Sequence, residues 1–325
     1  MEPMLGIFIG IDLGGTNVRA GAFNPQGELI YSTETPIEAA RGPQVGLETI
    51  YALLENVLKE TQQPVLAIGI GSTGPLDRER GCIQNPFTLP GWEDVDIVSP
   101  LVQKYGVTVT LENDADAAAL GEAWIGAGVG AERFVMVTIG TGVGFAFVIN
   151  GKLYRGMGGE HPEGGHVLVD PSGPVCYCGA RGCLESLVSG PAIAAYAQTL
   201  VLNQTGFLTE QTNGDFSQID AGLVFSGARI GDEQCQEIVN TIAEYIGLGL
   251  VSIIMLTLPD RIVLTGGVIR SYDLLEPGIK RVLKQHSLMI PADKVELHLA
   301  ALGQTAGMVG AARAAQMKFQ ETSYE

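Results

Sequence analysis

Short apolar runs alternate with amphipathic stretches along the chain, and their spacing predicts the secondary structure. Runs rich in β-branched residues predict strands at 5–12, 18–23, 28–33, 65–71, 107–111, 134–139, 145–149 and 261–265. Helical spacing, caps and alanine-rich composition predict helices at 45–60, 100–105 after a Ser99 cap, 114–125 and 305–317. From Gly190 to the last strand the chain is predicted to be mostly helical. This alternation of strands and helices predicts an α/β fold.

Two segments repeat one order of elements: a strand, a glycine-rich turn, a second strand and a hairpin turn. They read IGIDLGGTNVRAGAFNPQG and MVTIGTGVGFAFVINGK. We interpret them as an internal structural repeat that builds two similar α/β halves with a cleft between them. We expect a small α/β domain at residues 1–115, completed by the C-terminal helix at 305–317. A large α/β domain is expected at 116–304.

Composition and charge narrow the class of protein. The chain has 325 residues, 46% of them hydrophobic and 17% charged, which is typical of a globular protein long enough for two domains. The net charge of −17 disfavours nucleic acid and anionic membranes as partners. We see neither an uninterrupted apolar run of about 20 residues nor a basic, apolar leader. A cytoplasmic location is therefore expected.

Three of the five cysteines lie close together in a segment rich in glycine and proline, shortly after a histidine. Clustered thiols in a chain without an export signal indicate metal binding rather than disulfides. One nitrogen and three thiolates form a closed tetrahedral Zn²⁺ site that leaves no position for water, so we predict a structural zinc ion. His161 is left out of this ligand set, and Cys82 and Cys235 are expected to be single buried thiols. The predicted ligands are His166, Cys176, Cys178 and Cys183.

Each glycine-rich turn exposes consecutive backbone N–H groups that can cradle phosphate oxygens. Thr16 adds a hydroxyl donor, and Asp12 at a strand end is placed to hold Mg²⁺ through water. A strand follows each turn, so neither matches the P-loop or the dinucleotide-binding pattern, and an ordinary hairpin turn remains the alternative. The predicted ATP-binding residues are Asp12, Gly14, Gly15, Thr16, Asn17, Thr138, Gly140, Thr141, Gly142, Gly266 and Gly267.

Several carboxylates are candidates for chemistry on a polyol. Asp114, between a strand and a helix, could accept a proton from a sugar hydroxyl, or it could simply cap the helix. Glu163 and Glu185 could accept hydrogen bonds from sugar hydroxyls, whereas an isolated glutamate is more often a surface charge. The residues alone leave these alternatives open.

Six motifs together resemble the ROK family of bacterial sugar kinases, in the same order and over nearly the whole chain. They are DLGGTNVRAG, IGIGSTGPLD, ENDADAAALGE, TIGTGVGFAFVINGKL, GHVLVDPSGPVCYCGARGCLE and IVLTGGV, with CxCGxxGCxE the most specific part.

The resemblance implies the actin-like, ribonuclease H-like ATPase fold and an ATP-dependent sugar kinase. It implies that Asp114 is the catalytic base, with Mg²⁺ bound alongside ATP. Asp116 stands where many members have Asn and is given no role. The implied sugar-binding residues are Ser72, Thr73, Gly74, Asn85, Asn113, Asp114, Glu163, His166 and Glu185.

The identity of the sugar is the least determined feature. Glucose, phosphorylated at O6, is the first choice, but the HPEGGH segment is more similar to fructokinase-type members. Fructose, mannose and the N-acetylhexosamines stay open. A ROK-type repressor is one alternative, but such repressors carry a DNA-binding domain ahead of the first strand, for which we expect no room here. A non-catalytic actin-like module is another alternative, but it would not need the implied sugar-binding residues. The resemblance also implies a homodimer, with a tetramer as the alternative.

Overall fold

The structure, a computed structural model, describes residues 6–201 and 206–323. Its first part alternates strands and helices in the predicted order. The elements are β1 (Ile7–Leu13), β2 (Asn17–Phe23), β3 (Leu29–Pro36), α1 (Pro43–Thr61), β4 (Val65–Ser72), β5 (Leu76–Asp77), β6 (Cys82–Ile83), β7 (Val95–Asp96), α2 (Val98–Tyr105), β8 (Thr108–Asn113) and α3 (Asp114–Ile125).

The second part begins with another hairpin and then becomes mostly helical, as predicted. The elements are β9 (Arg133–Ile139), β10 (Val143–Ile149), β11 (Lys152–Leu153), α4 (Leu184–Val188), α5 (Gly190–Val201), α6 (Phe207–Gln211), α7 (Ala221–Arg229), α8 (Glu233–Thr257), β12 (Arg261–Thr265), α9 (Tyr272–Gln285), β13 (Glu296–Leu299) and α10 (Ala306–Ser323).

The predicted elements are confirmed, with shifted ends. Leu5, the predicted start of the first strand, lies outside the described residues. The Ser99 cap is wrong, because the helix begins at Val98 and the Asp96 carboxylate accepts hydrogen bonds from the N–H groups of Val98 and Ser99. Strands β5, β6, β7 and β11 have two residues each, too few for a periodic pattern, and they were missed together with β13.

The internal repeat is visible in the sheet topology. One five-stranded sheet has the order β3-β2-β1-β4-β8, and the other has the order β11-β10-β9-β12-β13. In the first sheet, β1 is antiparallel to β2 and parallel to β4, which is parallel to β8. In the second, β9, β12 and β13 are parallel in the same way. The short strands β5, β6 and β7 form a separate antiparallel sheet.

Contacts along the chain divide it into two compact units. Unit 1 comprises residues 1–131, 147–154 and 300–325, and unit 2 comprises 132–146 and 155–299. Sequence analysis placed the boundary after residue 115, but α3 packs against α10 and therefore groups with unit 1. Their close approach uses small residues, since a Cβ atom at Gly310 would lie 1.5 Å from the Ala117 carbonyl oxygen.

The central strand of unit 1 is buried on both faces. Ile7, Ile9 and Ile11 of β1 pack into one apolar cluster, while Phe8 on the opposite face belongs to a second cluster with Met308 of α10. This continuous apolar run is typical of a parallel sheet covered on both sides.

Helix α10 lies unusually close to strands β1 and β4. A Cβ atom at Gly10 would lie 1.8 Å from the Met308 carbonyl oxygen, and one at Gly69 would lie 1.8 Å from the Ala311 carbonyl oxygen. The helix backbone therefore rests directly on the strand backbone at both glycines.

A buried carboxylate fixes the chain that leads into α10. Glu122 of α3 is fully buried, and its two oxygens accept hydrogen bonds from the N–H groups of Ala127, Ala301 and Leu302 at 2.7, 3.1 and 2.8 Å. Buried backbone donors need such partners, so Glu122 joins two distant segments of unit 1.

Among the described residues, helix α8 is long and apolar enough to cross a membrane by length and composition alone. It passes by its average composition, because Glu244 interrupts its apolar stretch, and the sequence prediction concerned an uninterrupted apolar run. The apolar window is 61% buried inside the protein, and α8 packs against α4, α7 and α9, as the core helix of a globular unit does.

The contact between α10 and β4 gives a stability prediction. Gly69→Ala should lower the free energy of unfolding by about 1–3 kcal/mol, because the added methyl group meets backbone that cannot rotate away. The matched control is Gly156→Ala, where a Cβ would have its nearest neighbour at 3.6 Å. Chemical denaturation of both variants measures the effect, and equal stability of the two would contradict the proposed contact.

Candidate active site and metal centre

Three predicted segments of unit 1 meet at one edge of its sheet. Strands β1, β4 and β8 are parallel, with Leu13 paired to Ser72 and Ser72 paired to Asn113. Their carboxyl ends therefore bring together Asp12, the loop that follows Ser72, and the start of α3. This edge of a parallel sheet is where ligands usually bind.

Asn113, rather than Asp114, is the cap of α3. The Asn113 side-chain oxygen accepts hydrogen bonds from the N–H groups of Ala115 and Asp116 at 2.9 and 3.4 Å. Asp114 is the first residue inside the helix, and its carboxylate also accepts the Ala115 N–H at 2.8 Å. The alternative that Asp114 is present only as the helix cap therefore loses its main support.

Asp12 is in an electrostatically unfavourable position for a carboxylate. Burial raises the pKa of Asp12, Arg19 opposes that rise, and the nearby Asp114 carboxylate raises the pKa further. The Arg19 guanidinium lies 3.6 Å from Asp12 and also donates to Glu34 at 2.7 Å. A cation near Asp12 and Asp114 would relieve this repulsion.

The loop that carries Asn85 crosses the first glycine turn. Asn85 is only 1% exposed, and its amide donates to the Thr73 carbonyl and the Thr88 hydroxyl while its oxygen accepts the N–H groups of Phe87 and Thr88. The structure therefore gives Asn85 a role in shaping the loop, and direct contact with a sugar stays a prediction.

Thr88 is a site residue that sequence reasoning missed. Its hydroxyl lies 2.9 Å from the Thr73 hydroxyl, and a Cβ atom at Gly15 would lie 2.6 Å from the Thr88 carbonyl oxygen. The first glycine turn is closed by Gly14, whose N–H donates to the Asn17 carbonyl at 3.0 Å. Thr88 and Thr73 thus add hydroxyl groups beside that turn.

Unit 2 holds the second glycine turn, which closes in the same way: the Gly140 N–H donates to the Gly142 carbonyl at 2.9 Å. The Gly190 N–H donates to the Gly140 carbonyl at 2.7 Å. Gly266 has φ of +102° and lies against Ile139, where any side chain would clash with the Ile139 backbone. The Gly266–Gly267 pair, predicted to pass close to a base or ribose or to be an ordinary strand-to-helix turn, is therefore adjacent to the second glycine turn.

A cavity of about 680 Å³ opens beside these loops. Of the predicted ATP-binding residues, Gly140, Thr141 and Gly267 line this cavity. Thr138 lies in β9 and Gly266 directly follows β12, so both are close to lining residues in the sequence. Sequence reasoning missed the remainder of the lining, which comes from helices without a motif. Those residues are Gly190, Pro191, Ala194, Asp220, Ala221, Gly222, Phe225, Ser226, Arg229, Val268, Arg270 and Ser271.

The Glu163–His166 segment forms a tight turn that only small residues allow. Gly164 and Gly165 are buried, and Cβ atoms there would lie 2.4 Å from the Phe145 ring and 2.3 Å from the Val143 carbonyl oxygen. Glu163 lies within hydrogen-bonding distance of His161, 3.1 Å from its Nε2. Glu185 of α4 accepts the Val143 N–H at 2.8 Å, so one predicted sugar-binding carboxylate contacts the strand that follows the second glycine turn.

The four predicted metal ligands come together. The ligand atoms of His166, Cys176, Cys178 and Cys183 all lie within 4.8 Å of one another. His166 Nδ1 is 3.6 Å from Cys176 Sγ, and Cys178 Sγ is 3.5 Å from Cys183 Sγ. Tetrahedral bonds of about 2.0–2.3 Å give ligand separations of this size, so the residues match a zinc-type centre.

The electrostatics of the thiols differ with their surroundings. Burial raises the pKa of Cys183 to about 12, while the Ala180 N–H lowers the pKa of the exposed Cys178. Metal binding requires thiolates, so a cation would have to stabilise the buried Cys183 thiolate against desolvation. Cys82 and Cys235 are buried single thiols, as predicted.

Another neighbour of the metal ligands was missed. The Tyr177 hydroxyl lies 3.1 Å from His166 Nε2, and the Glu185 carboxylate is near enough for its charge to act on it. The type of residue between two cysteine ligands gives no sequence signal for such a contact.

Fold and site together define an α/β protein of the actin-like class, as predicted. A ROK hexokinase from Thermus thermophilus has a TM-score of 0.83 at 32% identity, covering 97% of this chain and 99% of that one. A Streptomyces griseus ROK glucokinase in complex with glucose and AMPPNP has a TM-score of 0.71 at 30% identity, covering 96% and 100%. A Halalkalibacterium halodurans glucokinase is 32% identical over 98% of this chain and 97% of its own.

The ROK family model matches residues 8–318. The chain belongs to the ROK family, which confirms the resemblance found in its motifs.

The metal centre gives a direct prediction. Cys178→Ser should lower the bound metal and the melting temperature together, because a serine hydroxyl is a poor replacement for a thiolate ligand. The control is Cys235→Ser, a thiol outside the cluster, which should keep its metal. Elemental analysis and thermal unfolding measure both quantities, and full metal content in the Cys178 variant would refute the ligand assignment.

Proposed function

We propose that this protein is an ATP-dependent hexose kinase, with glucose as its first candidate substrate and O6 as the hydroxyl that is phosphorylated. The observation that carries the proposal is Asp114, placed beside Asp12 and Asn113 where three parallel strands end. The similarity to a glucokinase and to a ROK glucokinase bound to glucose and AMPPNP supports it.

The nucleotide side of the proposal rests on the glycine turns. The cavity beside Gly140 and Gly267 has the size of a small-molecule site and would hold the nucleoside of ATP. Backbone N–H groups of the turns would bind phosphate oxygens. Asp12 would hold Mg²⁺ through water, and the repulsion between Asp12 and Asp114 is what a divalent cation would offset.

The sugar side of the proposal uses carboxylates and an imidazole. Glu163, His166 and Glu185 would bind hydroxyl groups, Asn113 is a further candidate for sugar binding, and Asn85 shapes its own loop. A site that hydrogen-bonds each hydroxyl rejects analogues lacking it, because its polar groups are then left unpaired. Fructose, mannose and the N-acetylhexosamines are the alternative substrates.

Asp114 would act as the general base. Its carboxylate would accept the proton of the attacking hydroxyl as the new O–P bond forms and ADP leaves. Mg²⁺ bound with ATP would neutralise the phosphate charge. In such reactions, most of the rate enhancement comes from this neutralisation and from positioning the two substrates.

The metal in this proposal is a structural Zn²⁺ held by His166 and the three clustered cysteines. All four protein ligands are provided, so no position is left to activate water. The ion would hold the segment from Glu163 to Glu185 in its sugar-binding shape. We further propose a cytoplasmic homodimer.

Substrate assignment has a direct test. Purified protein with Mg-ATP should release ADP with glucose, measured against fructose, mannose, N-acetylglucosamine and N-acetylmannosamine. High turnover with another of these sugars would reassign the substrate. Turnover with none of them would contradict the hexose kinase.

The base assignment predicts a selective loss. Asp114→Asn should lower kcat by about 10²–10⁴ while leaving sugar affinity nearly unchanged, because the amide cannot accept the proton but keeps the shape. The control is Asp116→Asn, two residues further along α3, which should keep its turnover. Steady-state kinetics and calorimetric sugar binding measure both, and near-normal turnover of the Asp114 variant would refute the assignment.

A further inference from the structure

Tyr177 lies between two metal ligands in the chain, yet its side chain reaches the residues of the proposed sugar site. Its hydroxyl oxygen is 3.1 Å from Nε2 of His166, and the two rings meet edge to face with centroids 5.2 Å apart. The Glu185 carboxylate lies near enough for its charge to act on this hydroxyl. Because the residue is 83% exposed, these polar contacts rather than core packing hold it in place.

The direction of each hydrogen bond follows from the metal centre. His166 Nδ1 faces the cysteine cluster, so a metal on Nδ1 leaves the proton on Nε2. His166 Nε2–H therefore donates to the phenol oxygen of Tyr177, beside the Glu185 carboxylate. Glu185 in turn accepts the Val143 N–H at 2.8 Å.

The Tyr177 hydroxyl thus accepts from an imidazole beside a carboxylate, a position that a sugar hydroxyl can also take because it can both accept and donate. His166 and Glu185 are both residues to which the proposed function gives a sugar hydroxyl. Two hydroxyls cannot occupy the same position between them.

We propose that Tyr177 is a specificity-determining residue whose hydroxyl competes with the sugar for the position between His166 and Glu185. The inference rests on the proposed function and deepens it. The exposed ring swings away when a sugar enters, and one sugar hydroxyl takes over the hydrogen bond from His166. A sugar without that hydroxyl cannot make the exchange, so the competition selects for sugars that carry it.

Tyr177→Phe tests the competition, because it removes the hydroxyl and keeps the ring. With glucose, or the hexose of highest turnover, the KM and the calorimetric Kd of the variant should be about threefold to tenfold lower than those of the wild type. This factor corresponds to the loss of one competing hydrogen bond. Its kcat should stay close to that of the wild type. This gain in affinity should vanish for the monodeoxy analogue of the same sugar that lacks the competing hydroxyl.

The control is Tyr31→Phe, since the Tyr31 hydroxyl bonds only the side chain of Asn56, at 3.4 Å, among the contacts described for it. Both variants should keep the metal content of the wild type by elemental analysis. An unchanged or raised KM in Tyr177→Phe overturns the inference, and so does an equal gain with every monodeoxy analogue.

These outcomes separate the inference from the proposed function. If the wild type bound sugar without releasing ADP, only the assignment as a kinase would be overturned. The comparison of Kd values would still decide the role of Tyr177. Normal turnover with no gain in Tyr177→Phe would overturn the role of Tyr177 alone. Absence of sugar binding in both proteins would overturn both.

Discussion

Parallel strands end at the same edge of a sheet, and this constraint organises both halves of the molecule. In unit 1 it aligns the ends of β1, β4 and β8, so that Asp12 and Asp114 come close enough for their charges to interact. In the second sheet the parallel pair of β9 and β12 brings the turn after Ile139 against Gly266. Residues far apart in the sequence become neighbours because of strand direction, before any side chain contributes.

Much of this arrangement could be predicted from local pattern. Apolar runs and glycine turns predicted the strands, and the cysteine spacing predicted the metal ligands, because both depend on residues close together in the sequence. The capping role of Asn113 and the loop contacts of Asn85 depend on hydrogen-bond geometry that residue type does not specify. Thr88 and Tyr177 carry no motif, so their contacts emerge only after folding.

The cavity lining shows the same limit of local patterns. Helices α5 and α7 reach the cavity through residues such as Pro191 and Phe225, which in the sequence are ordinary apolar positions of amphipathic helices. The overall charge of −17 makes the glycine turns of the proposed site important, because their backbone N–H groups offer positive charge to an anion in addition to Arg229 and Arg270 of the cavity lining. The proposed nucleotide site would therefore use backbone groups as well as these two arginines to bind phosphate.

Helix α10 completes unit 1, although it is the last element of the chain. During synthesis on the ribosome, β1 and β4 would emerge with the surface that α10 covers still exposed to water. Unit 2, at residues 132–146 and 155–299, could gather its own contacts while the end of the chain is still being made. The half of the protein that is synthesised first would therefore be the half that finishes folding last.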